Sequence, residues 1–461
     1  MTTATASAKT ETKLHDRTLE NISKGFDRKR HYTHITNGRV EDGKFKFDME
    51  HAEVESEDHF EDDLVLLSFH ITYMPHIDVI LDEFGLYTDK EYFIEEAKDV
   101  IAVSENHQND QGGGKMSFQS FFHNVPESLL CVNDRAEIVL AIHPHKDEKT
   151  DQGQKYTIAG YIHANNFDFQ PYGDERIEKG YYYNILRVSE KIVDGDKIYR
   201  RKKIFSLMFS ILHHLVYKNG VNFCFACMGK ENQSIKDALH RNTHFHGEYY
   251  ERLPFIVYSK VNRFYGSKSK FKDCVDITDD EQKLREFYKM VNDKMHTYLF
   301  YHLLSEEIFI DFIKKLTAYS KSSRVWAIFN QDGSIATATL AMNWGDWLKF
   351  EIKNPKGIFK IVQASGVMEK FLRPMLPVGE AETFKRMLKG LSYHYHKAHG
   401  VGVTFLSTYD GDPYKQVYKS ILDDQYAYFV ICNDKEKLQQ FKKRSATSEG
   451  HPRLFLDQPI I

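Results

Sequence analysis

Two stretches of this chain repeat one order of elements about 180 residues apart, and that repeat limits the fold more than any single motif does. In each stretch a hairpin and an extra strand lead to a further strand and a turn. An amphipathic helix, a Gly, an apolar strand, a short helix and a last strand follow. The offsets agree: 400 − 220 = 180 for Gly220 and Gly400, 418 − 240 = 178 for His240 and Tyr418, and 379 − 203 = 176 for Lys203 and Gly379. Self-similarity at one long spacing argues for duplication of a whole domain, not for a solenoid of short units.

The first copy is read from its hydrophobic periods. KIFSLMFSILHHLVYK places Ile204, Leu207, Met208, Ile211, Leu212 and Leu215 on one helical face, and Gly220 ends that helix. VNFCFACM (221–228) is a buried strand, NQSIKDALHR a helix and PFIVY a strand. Upstream, Leu129–Asn133 and Ala136–His143 read as a hairpin, with 155–162 and 181–188 as further strands. Ile77–Phe84 and Tyr92–Val100 read as helical. In the second copy, EQKLREFYKMVNDKMHTYLFYHLL and SEEIFIDFIKKLTAY are helices, the latter capped by Ser305. Arg324–Asn330 and Ser334–Met342 form a hairpin about a QDGS turn, and WLKFEI and GIFKIVQA add strands. Leu376–Val430 then runs turn, helix to Gly400, strand, short helix and strand.

At 461 residues the chain exceeds one ordinary core. The expected division is a mobile tail and charged segment (1–59), a first domain (60–258), a linker (259–274), a second domain (275–435) and a C-terminal tail (436–461). Lys+Arg 62 against Asp+Glu 66 leaves a net charge of −4, so no overall field draws it to nucleic acid or anionic membrane. No apolar run is long enough to span a membrane and the N-terminus lacks a secretory pattern, which makes the cytoplasm the expected location. Five scattered cysteines do not make a disulfide framework.

The chemistry-bearing stretch is Leu376-Pro377-Val378-Gly379-Glu380-Ala381, where a turn with small residues opens a helix. Backbone N–H groups at such a turn can approach a phosphate closely only if no side chain intervenes. In the first copy the aligned run is Arg200-Arg201-Lys202-Lys203-Ile204-Phe205, which keeps cations but puts Lys203 and Phe205 at the small positions. Cations at a helix N-terminus are unfavourable without an anion, so Arg200 and Arg201 read equally as a phosphate clamp or a solvated helix start.

These residues resemble the GNAT acyltransferase superfamily, whose pyrophosphate signature is Arg/Gln-x-x-Gly-x-Gly/Ala at a strand–helix junction. Gly379 and Ala381 match it, while Leu376 stands where Arg or Gln is usual. The resemblance implies an α/β fold of two tandem GNAT-like domains, each a mixed, mostly antiparallel sheet flanked by helices. It implies transfer of an acyl group, most simply acetyl, from acetyl-CoA or another acyl-CoA to a small-molecule or peptide amine. On the small-residue argument, the second copy binds the donor through Leu376, Val378, Gly379, Glu380 and Ala381. Tyr418 on the following helix would protonate the leaving thiolate, although a half-buried aromatic beside Tyr414 is an equal reading. Glu351 and Asp410 are candidates for the base. Among relatives of that architecture the N-myristoyltransferases are tandem and are understood to use the chain's own terminal carboxylate as base; this chain shows none of their motifs, and Ile461 is the residue such an analogy would test. Alternatives are a long-chain acyl or aminoacyl-tRNA donor, or a non-catalytic ligand-binding protein.

Other signals carry less. Cys224 and Cys227 have CxxC spacing, but on a strand they face opposite sides and cannot share a metal. His240, His244 and His246, His213-His214 and His394/His396 lack a companion ligand set, so no metal is expected. The QGGGK run (111–115) lacks phosphate-loop spacing and reads as a flexible turn.

Overall fold

The computed structural model describes residues 28–56, 64–101, 103–104, 117–122, 135–170, 177–189, 197–229, 248–295, 301–302, 305–353, 370–409, 412–419, 423–432 and 434–440. Its strands are β1 (Arg28–Glu41), β2 (Lys44–Ser56), β3 (Val65–His70), β4 (Val103–Ser104), β5 (Ser117–Phe122), β6 (Ala136–Thr150), β7 (Gly153–Gln170), β8 (Glu178–Val188) and β9 (Phe223–Gly229). They continue as β10 (Glu248–Val261), β11 (Val275–Asp276), β12 (Tyr301–His302), β13 (Arg324–Phe329), β14 (Ile335–Asn343), β15 (Leu348–Lys353), β16 (Phe371–Gly379), β17 (Val403–Tyr409) and β18 (Asp423–Cys432). The α-helices that matter below are α1 (Ile77–Asp82), α2 (Lys90–Ile101), α3 (Lys197–Lys218), α4 (Asn262–Tyr265), α5 (Lys268–Phe271), α6 (Glu281–Met295), α7 (Glu306–Tyr319), α8 (Ala381–His399) and α9 (Lys415–Tyr418).

The fold is mixed α/β with mostly antiparallel sheet, and both halves share one continuous sheet. Its order is β11-β13-β14-β16-β17-β10-β18-β9-β8-β7-β6-β3-β1-β2, with β12 added to β7; β15, β5 and β4 form a separate three-stranded sheet. The two halves exchange their last strands. β10, which closes the first half in sequence, lies between β17 and β18 of the second, while β18 lies between β10 and β9. Each half therefore borrows a strand to complete its sheet, which the linear repeat could not reveal.

Helices α1, α2, α6 and α7 bury Ile77, Phe93, Ala97, Leu284, Phe287, Ile313 and Leu316 in a single core on one face of that sheet. On the other face α3 and α8 each cover their own half. The stripe read from the sequence, Ile204, Leu207, Met208, Ile211, Leu212 and Leu215, is buried against Val139, Ala141 and Ile162. Phe384, Met387, Leu388 and Leu391 do the same for α8. Gly400 ends α8 with φ 68° and Gly220 follows α3 with φ 66°, the left-handed caps that glycine fills without strain.

Three expectations need revision. Within the N-terminal charged segment, β1 and β2 form a long hairpin with Arg28 opposite Ser56, turning at Asp42 and Gly43, both at positive φ. An Asp-Gly turn between alternating strands was the available signal. The stretch read as a linker is structured at its start: Ser259–Val261 pair with Val403–Phe405, and the buried Asn262 donates through Nδ2 to the Val401 carbonyl at 3.1 Å. Tyr301 and His302, expected within a helix running to Leu304, pair instead as strand β12 with Gln170 and Phe169 of β7. Residues 1–27, 111–115, 129–133, 232–241, 357–364 and 441–461 lie outside the described residues, and with them the expectations placed there.

Candidate functional site

In each half a parallel strand pair precedes the long helix and parts at a bulge: β8 with β9 in the first, β16 with β17 in the second. In the second half β16 and β17 are in register at Phe371/Val403 and Leu372/Thr404. Beyond that, β16 pairs with β14 alone and β17 with β10. The divergence sits where Leu376 and Pro377 together oppose Thr339, with Leu376 at φ 52°. Pro374 and Pro377 remove two donors from β16, which suits a strand that has lost a neighbour. In the first half β8 and β9 are in register from Gly180/Phe223 to Tyr183/Ala226. There β8 carries one extra residue, Asn184, between Tyr183 opposite Ala164 and Ile185 opposite His163. A gap between parallel strands at their carboxyl ends, with a helix N-terminus beyond it, is where open α/β sheets bind ligands.

In the second half the carbonyls of this stretch of β16 are taken up by the protein itself. Thr339 Oγ1 donates to the Met375 carbonyl at 2.7 Å and Thr337 Oγ1 to that of Val378 at 2.5 Å. Lys294 Nζ donates to the Pro377 carbonyl at 2.5 Å and lies 4.4 Å from the Tyr414 ring centroid. The Tyr414 hydroxyl donates to the Gly379 carbonyl at 2.6 Å, and burial raises its pKa well above the ordinary phenol. Replacing Tyr414 with Phe is expected to cost about 1 kcal/mol, read from the midpoint of urea unfolding.

Leu376, Val378, Gly379, Glu380 and Ala381 run from the end of β16 into the start of α8. Leu376 and Val378 are buried and Gly379 and Glu380 exposed; Ala381 begins α8. The structure gives Gly379 a reason of its own. It sits at φ 96°, and a Cβ there would lie 2.2 Å from the Ala336 carbonyl oxygen. Tyr418 is 2% exposed, stacked on Tyr414 at 6.0 Å and edge-on to Phe384. That is the packing expected of a core aromatic. Glu380 and Glu382 stand at the N-cap and first turn of α8, where their charge already complements the helix dipole.

The remaining candidates lie elsewhere. Glu351 is on β15, opposite Gln119 in the three-stranded sheet, so it is not on a central strand. Asp410 lies outside the described residues. Arg200 and Arg201 are within α3, which starts at Lys197; their run is helix, not the strand–helix turn of the alignment. The helix starts themselves give an offset of 381 − 197 = 184. With no acidic residue in its first turn, α3 concentrates Lys197, Arg200, Arg201, Lys202 and Lys203 near its positive end. Cys224 is buried beneath α3 with its thiol pushed up to about 12 by desolvation, an inert core thiol. His213 is buried on α3 and His394 stacks on Phe271 at 4.3 Å. Among the described residues no group of three or more His, Cys, Asp or Glu could hold a metal ion.

No family model matches this sequence, and no curated protein matches it. Solved structures do. The chain is similar to Saccharomyces cerevisiae N-myristoyltransferase with bound myristoyl-CoA and inhibitors, at 9% identity and TM-score 0.49, covering 82% of this chain and 81% of that one. It is also similar to a GCN5-related N-acetyltransferase from Kribbella flavida, at 10% identity and TM-score 0.39, over 80% of this chain and 71% of that one. A probable N-acyltransferase from Enterococcus faecalis matches at 9% identity and TM-score 0.39, over 79% and 72%.

Proposed function

We propose that this protein transfers an acyl group, most simply acetyl, from a coenzyme A thioester to an amine on a small molecule or peptide. The observation that carries the reading is the repeated geometry: parallel strands that part at a bulge, followed by a long helix. A backbone N–H freed at the bulge polarises a thioester carbonyl, and the helix start receives the pyrophosphate. No metal enters this mechanism. The cytoplasm is the proposed location; no described helix is long and apolar enough to cross a membrane.

The donor is assigned to the first half. The turn at Gly379 offers the small residues, but Tyr414 and Lys294 already bond its carbonyls and its helix start carries two carboxylates. The first turn of α3 carries no acidic residue, and Arg200, Arg201, Lys202 and Lys203 follow within it or just beyond it. Arg200 and Arg201 then neutralise phosphate, the clamp alternative of the sequence reading.

Calorimetric titration with acetyl-CoA and a long-chain acyl-CoA tests this. The double variant Arg200→Glu/Arg201→Glu is expected to weaken binding about tenfold or more, with a larger effect at low salt. The variant Glu380→Ala/Glu382→Ala is expected to bind as wild type. Tighter binding by the second variant, with no change in the first, moves the donor to the Gly379 turn and revives Tyr418 as acid. No binding of either thioester removes the proposal.

A further inference from the structure

The strand that faces the first-half bulge carries polar groups where its counterpart carries apolar ones. On β7, Tyr161, His163 and Asn165 alternate onto the face whose core includes Phe93, Ala97, Val100 and Ile101 of α2. On β14 the matching stretch is Ala338, Leu340 and Met342, all buried in the same core. His163 is opposite Ile185, the residue next to the extra Asn184 of β8. It is 2% exposed, with Nε2 at 2.9 Å from Asn165 Oδ1. An amide oxygen only accepts, so Nε2 carries the proton and Nδ1 presents a lone pair. Among the described residues that buried Nδ1 has no partner, and neither has the buried hydroxyl of Tyr161, whose ring centroid lies 6.4 Å away. Buried polar atoms in folded proteins are ordinarily satisfied, so two orphans on one strand face, beside the bulge, call for a ligand that supplies the missing hydrogen bonds.

We propose that His163 receives the acceptor amine: Nδ1 accepts a hydrogen bond from the amine N–H at the first-half bulge, with Asn165 fixing the tautomer. This rests on the acyl-transfer reading and names the residue that handles the amine in it. The amine nitrogen forms the C–N bond as its proton passes to Nδ1, the C–S bond breaks with its electron pair on sulfur, and the thiolate takes the proton from Nδ1. The products are an amide and free coenzyme A, with His163 neutral again. Burial holds the His163 pKa down to about 4, so the ring remains an acceptor at neutral pH and a proton placed on it leaves readily. Among the described residues the ionisable groups beside it are Tyr161 on its own strand and Tyr182 of β8, opposite Asn165, with Glu137 on the other face of the sheet beside Tyr181. Only desolvation and the Asn165 bond set its shift.

The test uses the full chain and follows thiol release from acetyl-CoA with butylamine and with a glycine-led octapeptide as probe amines. Calorimetry of acetyl-CoA and the melting temperature are read on the same samples. His163→Phe is expected to lower turnover about 10²-fold or more while donor affinity holds. His163→Asn keeps a hydrogen-bond acceptor near the Nδ1 position but no base able to take the proton, so donor affinity and melting temperature are expected to hold while turnover stays low. Asn165→Asp puts a carboxylate against Nε2 and favours the imidazolium, so the acid limb of the kcat profile moves up toward neutral pH. Turnover by His163→Phe at the wild-type rate, or an acid limb unmoved in Asn165→Asp, would overturn the proposal. So would donor affinity and melting temperature falling together in all three variants, the mark of a structural role. Wild-type binding of acetyl-CoA without thiol release to either amine sinks the His163 role while leaving the donor site standing. Absence of binding sinks the acyl-transfer reading beneath it.

Discussion

A chain ended after Leu422 is expected to lose its cooperative unfolding transition altogether. The cut removes β18, the strand on which both halves depend. β18 pairs through seven residues with β9, from Tyr426/Gly229 to Cys432/Phe223, and through nine with β10. Without it β9 and β10 have no common neighbour, and each exposes a long strand edge. At about 1 kcal/mol net for each backbone hydrogen bond, the lost ladders rival the 5–15 kcal/mol that stabilises a typical domain. Leu438, packed in the core just beyond β18, goes with it. Circular dichroism through a thermal ramp reads the outcome. If the truncated chain instead melts sharply near the wild-type temperature, the halves are independent and the strand exchange is unimportant to stability.

Gly379→Ala is expected to destabilise the protein by about 3 kcal/mol or more, from left-handed backbone strain of ~1–3 kcal/mol and overpacking of ~1–3 kcal/mol. The added methyl would stand 2.2 Å from the Ala336 carbonyl and 2.7 Å from the Thr337 Cα, both on the neighbouring strand and unable to swing away. Relief requires moving β16 off β14, which also breaks the Thr337 and Tyr414 hydrogen bonds to the turn. Urea unfolding reads the change. Stability within ~0.5 kcal/mol of wild type would mean the turn relaxes easily, and that the small residue is retained for a ligand rather than for the strand beside it. This is why charge changes at exposed Glu380 and Glu382, not a bulky residue at Gly379, are the sound probes of the second half.

Local structure was legible where one period dominated. The α3 stripe, the Ser305 cap, which accepts from the Ile308 N–H at 3.3 Å, and the Gly400 stop all followed from residue spacing. So did the β13–β14 hairpin and the repeat, since Phe223 and Val403, which open β9 and β17, stand 403 − 223 = 180 apart. The strand exchange was not legible. Pairing β18 with β9 depends on closing a loop of nearly two hundred residues, and nothing in either strand's own alternation names its partner. The phosphate turn was half legible. Small residues at Gly379 and Ala381 mark a close backbone approach, but the sequence does not say whether a ligand or strand β14 makes it. Aligning Arg200–Phe205 with that turn failed because the helical period of 203–215 continues back to Lys197, so the cations lie on the helix. His163 drew no attention because strand alternation reads a buried His as core filling. Only its pairing beside Asn184 and its orphan Nδ1 distinguish it.

The central claim is that the thioester donor lies in the first half. A crystal structure of the protein with bound acetyl-CoA tests it most directly. Pyrophosphate density at the N-terminal end of α3, with the thioester carbonyl at the β8 bulge beside Asn184, is the predicted result. Density at Gly379–Ala381 would contradict it.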